Sequence, residues 1–184
     1  KNYAWFTPFS LLTGFALVSG YALLGSTWLI TKTTDILQSR MYQVSTVILF
    51  FVAFFLLVVS LWTPFLDPRI YQIWFSYPNI VYLSFLPALA GLCLFLLWYS
   101  LQKRYEYYPF LISIVIFLLA YCGLIISIWP YIIPHQITLW QAASNDKSLS
   151  FLLVGAIILL PTLLGYSAYA YWIFRGKVTD DIHY

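Results

Sequence analysis

Charge is what this sequence has least of. Asp, Glu, Lys and Arg make up 8% of its 184 residues, whereas hydrophobic residues make up 62%. A soluble domain is about a quarter charged, because it must present a solvated surface. A chain with so little charge cannot cover itself in water, so lipid takes the place of the solvated surface. Metal-binding side chains are scarce as well: two Cys, two His and one Met. Cys93 and Cys122 lie inside apolar runs, with no second Cys at metal spacing, and read as small buried apolar side chains. His135 falls in a connection, His183 in the C-terminal tail and Met41 at the edge of an apolar run. Haem iron needs His, Met, Cys or Tyr at membrane depth, and copper, zinc or iron–sulfur centres need His pairs, paired Cys or carboxylate clusters. The chain itself is therefore expected to bind no metal or redox cofactor and to carry no catalytic residue. Its nine Lys and Arg form no basic stripe, which excludes nucleic acid as a partner.

What is there is apolar length. Five stretches, 8–31, 42–63, 79–101, 109–129 and 150–174, each approach the roughly 20 residues that cross about 30 Å of hydrocarbon as a helix. None holds an Asp, Glu, Lys, Arg or His in its interior, so none offers an intramembrane ionisable residue for proton or ion transfer. Alternation with period two is absent, and a spanning backbone must satisfy its own hydrogen bonds, so the spans are helices. The fold class is all-α: a polytopic transmembrane helical bundle of five spans, forming a single domain over 1–184. Pro87 and Pro161 sit within spans and are expected to kink them.

The tryptophans mark the span ends. Trp28, Trp62, Trp98, Trp129 and Trp172 fall near a boundary, while Trp5, Trp74 and Trp140 fall in flanking or connecting segments. An indole prefers the headgroup level, where its ring is apolar and its N–H stays wet. Lys32 and Arg40 follow the first span, Lys103 and Arg104 the third, and Arg175 and Lys177 the fifth, against Lys1, Arg69 and Lys147 on the other side. This asymmetry puts the C-terminus in the cytoplasm. The connections Pro64–Pro78 and Pro130–Leu149, rich in Pro and aromatics, are expected to lie along the membrane surface. Asp67 and Arg69 read as a local ion pair, and Glu106 beside Lys103 and Arg104 as a solvated charge cluster.

Three segments carry a family resemblance. GYALLGSTWLITKT at Gly20–Thr33, WPYIIPHQITLWQAAS at Trp129–Ser144 and LLPTLLGYSAYAYWIFRGKVTDDI at Leu159–Ile182 occur in order and at helix ends. Together they resemble subunit II of cytochrome bd-type quinol oxidases, in its C-terminal half. Lys1 in place of Met, entering an apolar span at once, fits a start within a longer protein. The resemblance implies a non-catalytic subunit of a quinol:oxygen oxidoreductase in the bacterial inner membrane. Its b-type haems and haem d would reside in a partner, subunit I, and a structural quinone is possible in subunit II itself. The family's acidic intramembrane positions lie in the half not matched here. Gln141 stands where many members have Asp or Glu. Rival readings are a small transporter or channel module, and a structural membrane scaffold of another complex.

The positions singled out are few. Trp28 and Lys32 should anchor the cytoplasmic end of the first span, with the lysine snorkelling to lipid phosphates. At the other face, His135 and Trp140 are candidates to cover subunit I near its quinol-binding loop. Gly20, four residues from Ala16, is the candidate for close helix packing.

Overall fold

The computed structural model describes residues 6–133 and 136–177. These divide into two compact units, the first running to Ser127 and the second spanning Ile128–Lys177. Helices α1 (Pro8–Lys32), α2 (Asp35–Leu66), α5 (Phe85–Gln102) and α6 (Tyr108–Ile128) build the first unit. Two short helices, α3 (Pro68–Phe75) and α4 (Asn79–Leu83), connect α2 to α5. The second unit holds a two-stranded antiparallel hairpin, β1 (Tyr131–Ile133) with β2 (Ile137–Thr138), then α7 (Leu139–Ala142) and α8 (Asp146–Ile173). Five helical stretches are long and apolar enough to cross a membrane: Pro8–Lys32, Asp35–Leu66, Asn79–Gln102, Tyr108–Ile128 and Asp146–Ile173. The expected all-α, five-span architecture holds, and the small hairpin is its one addition among the described residues.

Local chemistry sets the helix ends. Thr7 opens α1 with a capping box: its hydroxyl accepts the Ser10 amide at 3.1 Å, and the Ser10 hydroxyl accepts the Thr7 amide at 2.9 Å. Pro8 follows at the first helical position, where its missing N–H costs nothing. Helix α2 overruns the expected 42–63 at both ends. It starts at Asp35 and passes through Pro64, which forfeits one backbone bond only two residues before the helix stops at Leu66. Most of the connection 64–78 is itself helical. Asp67 starts α3, its carboxylate accepting the Arg69 amide at 2.9 Å and the Arg69 guanidinium at 3.2 Å. The expected local ion pair is thus also a helix cap.

The third span is broken where the sequence placed only a kink. Ser84 separates α4 from α5, and Pro87 lies in the first turn of α5 rather than in mid-helix. Pro87 has no N–H to offer the carbonyl four residues back, so the ladder interrupts there. The Ser84 amide still reaches Ile80 O at 3.0 Å and the Ala88 amide reaches Ser84 O at 3.2 Å, which carries the backbone across the break.

The core of the first unit is a strip between its four long helices: Leu23 and Ile30 of α1, Tyr42, Leu49 and Val52 of α2, Cys93, Leu97 and Leu101 of α5, and Ile116 of α6. Ile30 and Leu97 are fully enclosed. Outside this strip the helices display large apolar side chains, Phe50, Phe54, Phe95 and Leu118 among them, as a lipid-facing surface requires. Cys93 is buried as expected, but Cys122 is exposed on the outer face of α6. An apolar run in a membrane helix has a lipid side as well as a packed side, so apolar context did not ensure burial. In the second unit, no residue of α8 is buried.

Candidate functional site

Two features of the first unit carry specific chemistry: a chain of buried hydroxyls between helices, and a polar cluster where α1 and α5 end.

The hydroxyls come from the Gly-Ser-Thr-Trp stretch of α1. Ser26 and Thr27 are both buried and point to different neighbours. Ser45 of α2 donates to the Ser26 hydroxyl at 2.9 Å, and Ser26 donates its own hydrogen bond to Leu23 O at 3.1 Å. Thr27 shares a hydrogen bond with Ser113 of α6 at 3.0 Å and also lies 2.7 Å from Leu23 O. Ser113 in turn donates to Phe110 O at 2.7 Å. Adjacent residues on one turn thereby tie α1 to α2 and to α6. Every hydroxyl in the chain has a partner, which matters where no water can supply one. In the sequence Ser26 reads only as a small residue, four from Ala22, on a packing face, and Thr27, Ser45 and Ser113 carry no mark of their own. The signal was present only as hydroxyl residues within apolar spans, Ser26 and Thr27 in the first, Ser45 in the second and Ser113 in the fourth, among several others.

The polar cluster lies at the Lys- and Arg-rich end of the first unit. The α1–α2 and α5–α6 connections meet there: the Gln38 side-chain amide donates to Ile30 O at 3.0 Å and to Glu106 at 3.4 Å. Tyr42 donates its phenolic hydroxyl to Arg104 O at 3.0 Å. The two connections that the charge pattern placed on one side therefore share one end of the bundle. Arg104 holds a left-handed backbone, φ 54°. It closes α5 in a Schellman turn, with Tyr105 N–H on Ser100 O at 3.0 Å and Arg104 N–H on Leu101 O at 3.1 Å. Glycine is the usual occupant of this position, and a side chain there costs about 1–2 kcal/mol. The Arg104 guanidinium lies over the Tyr42 ring, 5.9 Å from its centre.

Three helices end in the same way. Lys32 lies over the Trp28 ring at 4.9 Å, Lys103 over Tyr99 at 5.8 Å and Arg175 over Trp172 at 5.2 Å. Each pair is spaced three or four residues apart, so one helical turn stacks the cation on the ring. Lys32, in the last turn of α1, also opposes the negative end of that helix dipole. Trp28 is further held by Phe110, with ring centres 4.8 Å apart.

The remaining candidates stand elsewhere. Gly20 faces α6: a Cβ added there would lie 3.8 Å from two ring carbons of Phe117, an ordinary contact with a side chain rather than a backbone approach. Trp140 is exposed and packs edge-on against Trp129 at 5.6 Å within the second unit. His135 lies outside the described residues, as does His183. Gln141 completes a capping box for α7: its side-chain oxygen accepts the Thr138 amide at 3.0 Å, and its own amide reaches the Thr138 hydroxyl at 3.3 Å. A Gln serves this geometry as well as a Glu. Among the described residues, no three His, Cys, Asp or Glu side chains come together as a metal site.

Five apolar helices, hydroxyl ties between them and aromatic–cation pairs at their ends define a multi-pass α-helical membrane protein. The sequence profile of the cytochrome bd terminal oxidase subunit II family matches residues 2–174, and the chain belongs to that family. It is similar to cytochrome bd-I ubiquinol oxidase subunit 2 of Escherichia coli K12, with 29% identity over 62 residues covering 30% of this chain. The same subunit of Escherichia coli O157:H7 matches to the same extent. The match spans 16% of the length of these curated relatives.

Proposed function

We propose that this chain is a non-catalytic membrane subunit of a bd-type quinol:oxygen oxidoreductase, supporting a haem-bearing subunit I in the inner membrane of a bacterium. The observation that carries this reading is the family match over residues 2–174, which runs through all five apolar helices. The complex would take electrons from quinol and reduce oxygen to water, with haem b and haem d held by the partner. This chain would supply a packed helical face and a fixed depth in the bilayer. Trp28 and Lys32 act as anchors of the first span, supported by their 4.9 Å stacking. The C-terminus lies in the cytoplasm, supported by the Lys/Arg asymmetry. Trp140, together with His135, covers the partner on the opposite side. A structural quinone held by this subunit would bind between its helices.

The test is purification through a tag on the subunit that contains this sequence. Co-purification of a second, haem-bearing subunit, with b- and d-type absorbance and quinol-dependent oxygen uptake, is the expected result. The isolated chain should show no Soret band. A tagged preparation that is pure, folded and free of any haem-bearing partner would overturn the proposal.

A further inference from the structure

A cleft of about 320 Å³ opens between α2 and the end of α5, lined by Tyr42, Gln43, Thr46, Leu101, Gln102 and Arg104. Arg104 supplies a positive charge, Gln43 and Gln102 supply amide donors, Tyr42 and Thr46 supply hydroxyls, and no carboxylate lines it, although Glu106 lies near enough to act on Tyr42. Glu106, at the same end of the unit, accepts from Gln38 at 3.4 Å.

Arg104 is fixed by more than its side chain. The Schellman turn sets its backbone, Tyr42 binds its carbonyl, and its guanidinium rests over the Tyr42 ring. A costly left-handed conformation at a non-glycine residue is the kind of local strain that clusters at binding sites. Here it brings Arg104, with its permanent charge and planar fork of donors, to the lining of a polar cleft. The α2 surface that continues from Gln43 and Thr46 is apolar and exposed, with Val47 at 56% and Phe50 at 60%. A ligand held in the cleft can therefore have a charged head and an apolar tail.

We propose that this cleft binds an anionic phospholipid, with Arg104, Gln43 and Gln102 taking the headgroup phosphate and an acyl chain running over Val47 and Phe50. Guanidinium recognises phosphate through parallel N–H donors, and the Lys/Arg-rich side of a bilayer is where anionic headgroups meet basic side chains. The inference depends on the chain spanning a membrane and not on the oxidase activity of its complex.

The experiment uses the intact membrane complex containing this chain, reconstituted with phosphatidylglycerol carrying a photoreactive group near its headgroup. Crosslinks are expected on the peptides that contain Tyr42–Thr46 and Leu101–Arg104. Arg104→Gly keeps the left-handed turn without a Cβ and removes the charge. It should cut labelling about fivefold, the share of one cation near an anionic surface. Phosphatidylcholine carrying the same group should label the wild-type peptides weakly, and excess inorganic phosphate should not compete. Equal labelling by the two lipids overturns the proposal, as does labelling unchanged in Arg104→Gly. Competition by inorganic phosphate would reassign the cleft to a soluble anion. The comparison of the two lipids on wild-type protein decides the matter even where Arg104→Gly fails to assemble.

Discussion

The Tyr42 hydroxyl and the Arg104 carbonyl, 62 residues apart in sequence, meet at 3.0 Å and fasten α2 to the turn that ends α5. Tyr42→Phe removes that donor while leaving the ring beneath the guanidinium. The variant should lose about 0.5–1.5 kcal/mol, the net value of one hydrogen bond. Thermal unfolding of the assembled complex measures the loss, and an unshifted midpoint would show that the contact contributes nothing.

The hydroxyl chain predicts coupling between two serines. Ser45 donates to Ser26, and Ser26 keeps its own acceptor at Leu23 O. A double-mutant cycle with Ser26→Ala and Ser45→Ala should give a coupling of about 0.6 kcal/mol, and at most about 1.7, as for interhelical bonds in other membrane bundles. Strictly additive single variants would refute the contact. Ser45→Val tests the packing separately, since Ser45 is fully buried and added bulk there should cost about 1–3 kcal/mol.

Gly20 should tolerate one methyl and no more. With Phe117 carbons 3.8 Å from the site of a Cβ, Gly20→Ala should be close to silent. Gly20→Leu must displace the Phe117 ring and should cost about 1–3 kcal/mol, lowering recovery of the assembled complex. Phe117→Ala in the same chain should restore much of that loss. A Gly20→Leu variant with unchanged yield and stability would place this face against lipid.

Topology can be read by labelling. In a background with Cys93 and Cys122 replaced by Ala, a cysteine at Tyr184 should resist a membrane-impermeant thiol reagent in intact cells. A cysteine at Ser144 should react. The opposite pattern would reverse the orientation drawn from the lysines and arginines.

Why some of this was legible in sequence and some was not follows from the range of each signal. Spans are legible because apolar length is a property of a window: α1, α6 and α8, and the third stretch Asn79–Gln102 taken as a whole, start and stop within a few residues of the expected bounds. The start of α1 at Pro8 is legible, because proline suits the first helical position. The tie between Ser26 and Ser45 was not. A hydroxyl in a helix can always bond its own preceding turn, as Thr46 does with Tyr42 O at 2.8 Å, so nothing local says which hydroxyl reaches a second helix. The break at Ser84 was misplaced for a related reason. Pro87 announces a fault, but where the helix restarts depends on which backbone groups find other partners. The left-handed Arg104 had no signal, because glycine is the usual mark of that conformation.

Length sets one further consequence. Helix α2 has 32 residues against 21 in α6 and 25 in α1. At 1.5 Å per residue it reaches about 48 Å, well beyond an hydrocarbon layer of about 30 Å. Its apolar part, 42–63, covers about 33 Å and matches that layer, so the surplus lies in the polar first two turns, which carry Asp35, Gln38 and Arg40. Those turns extend about 10 Å past the hydrocarbon into the headgroups, and a change in bilayer thickness acts first on how deep they sit.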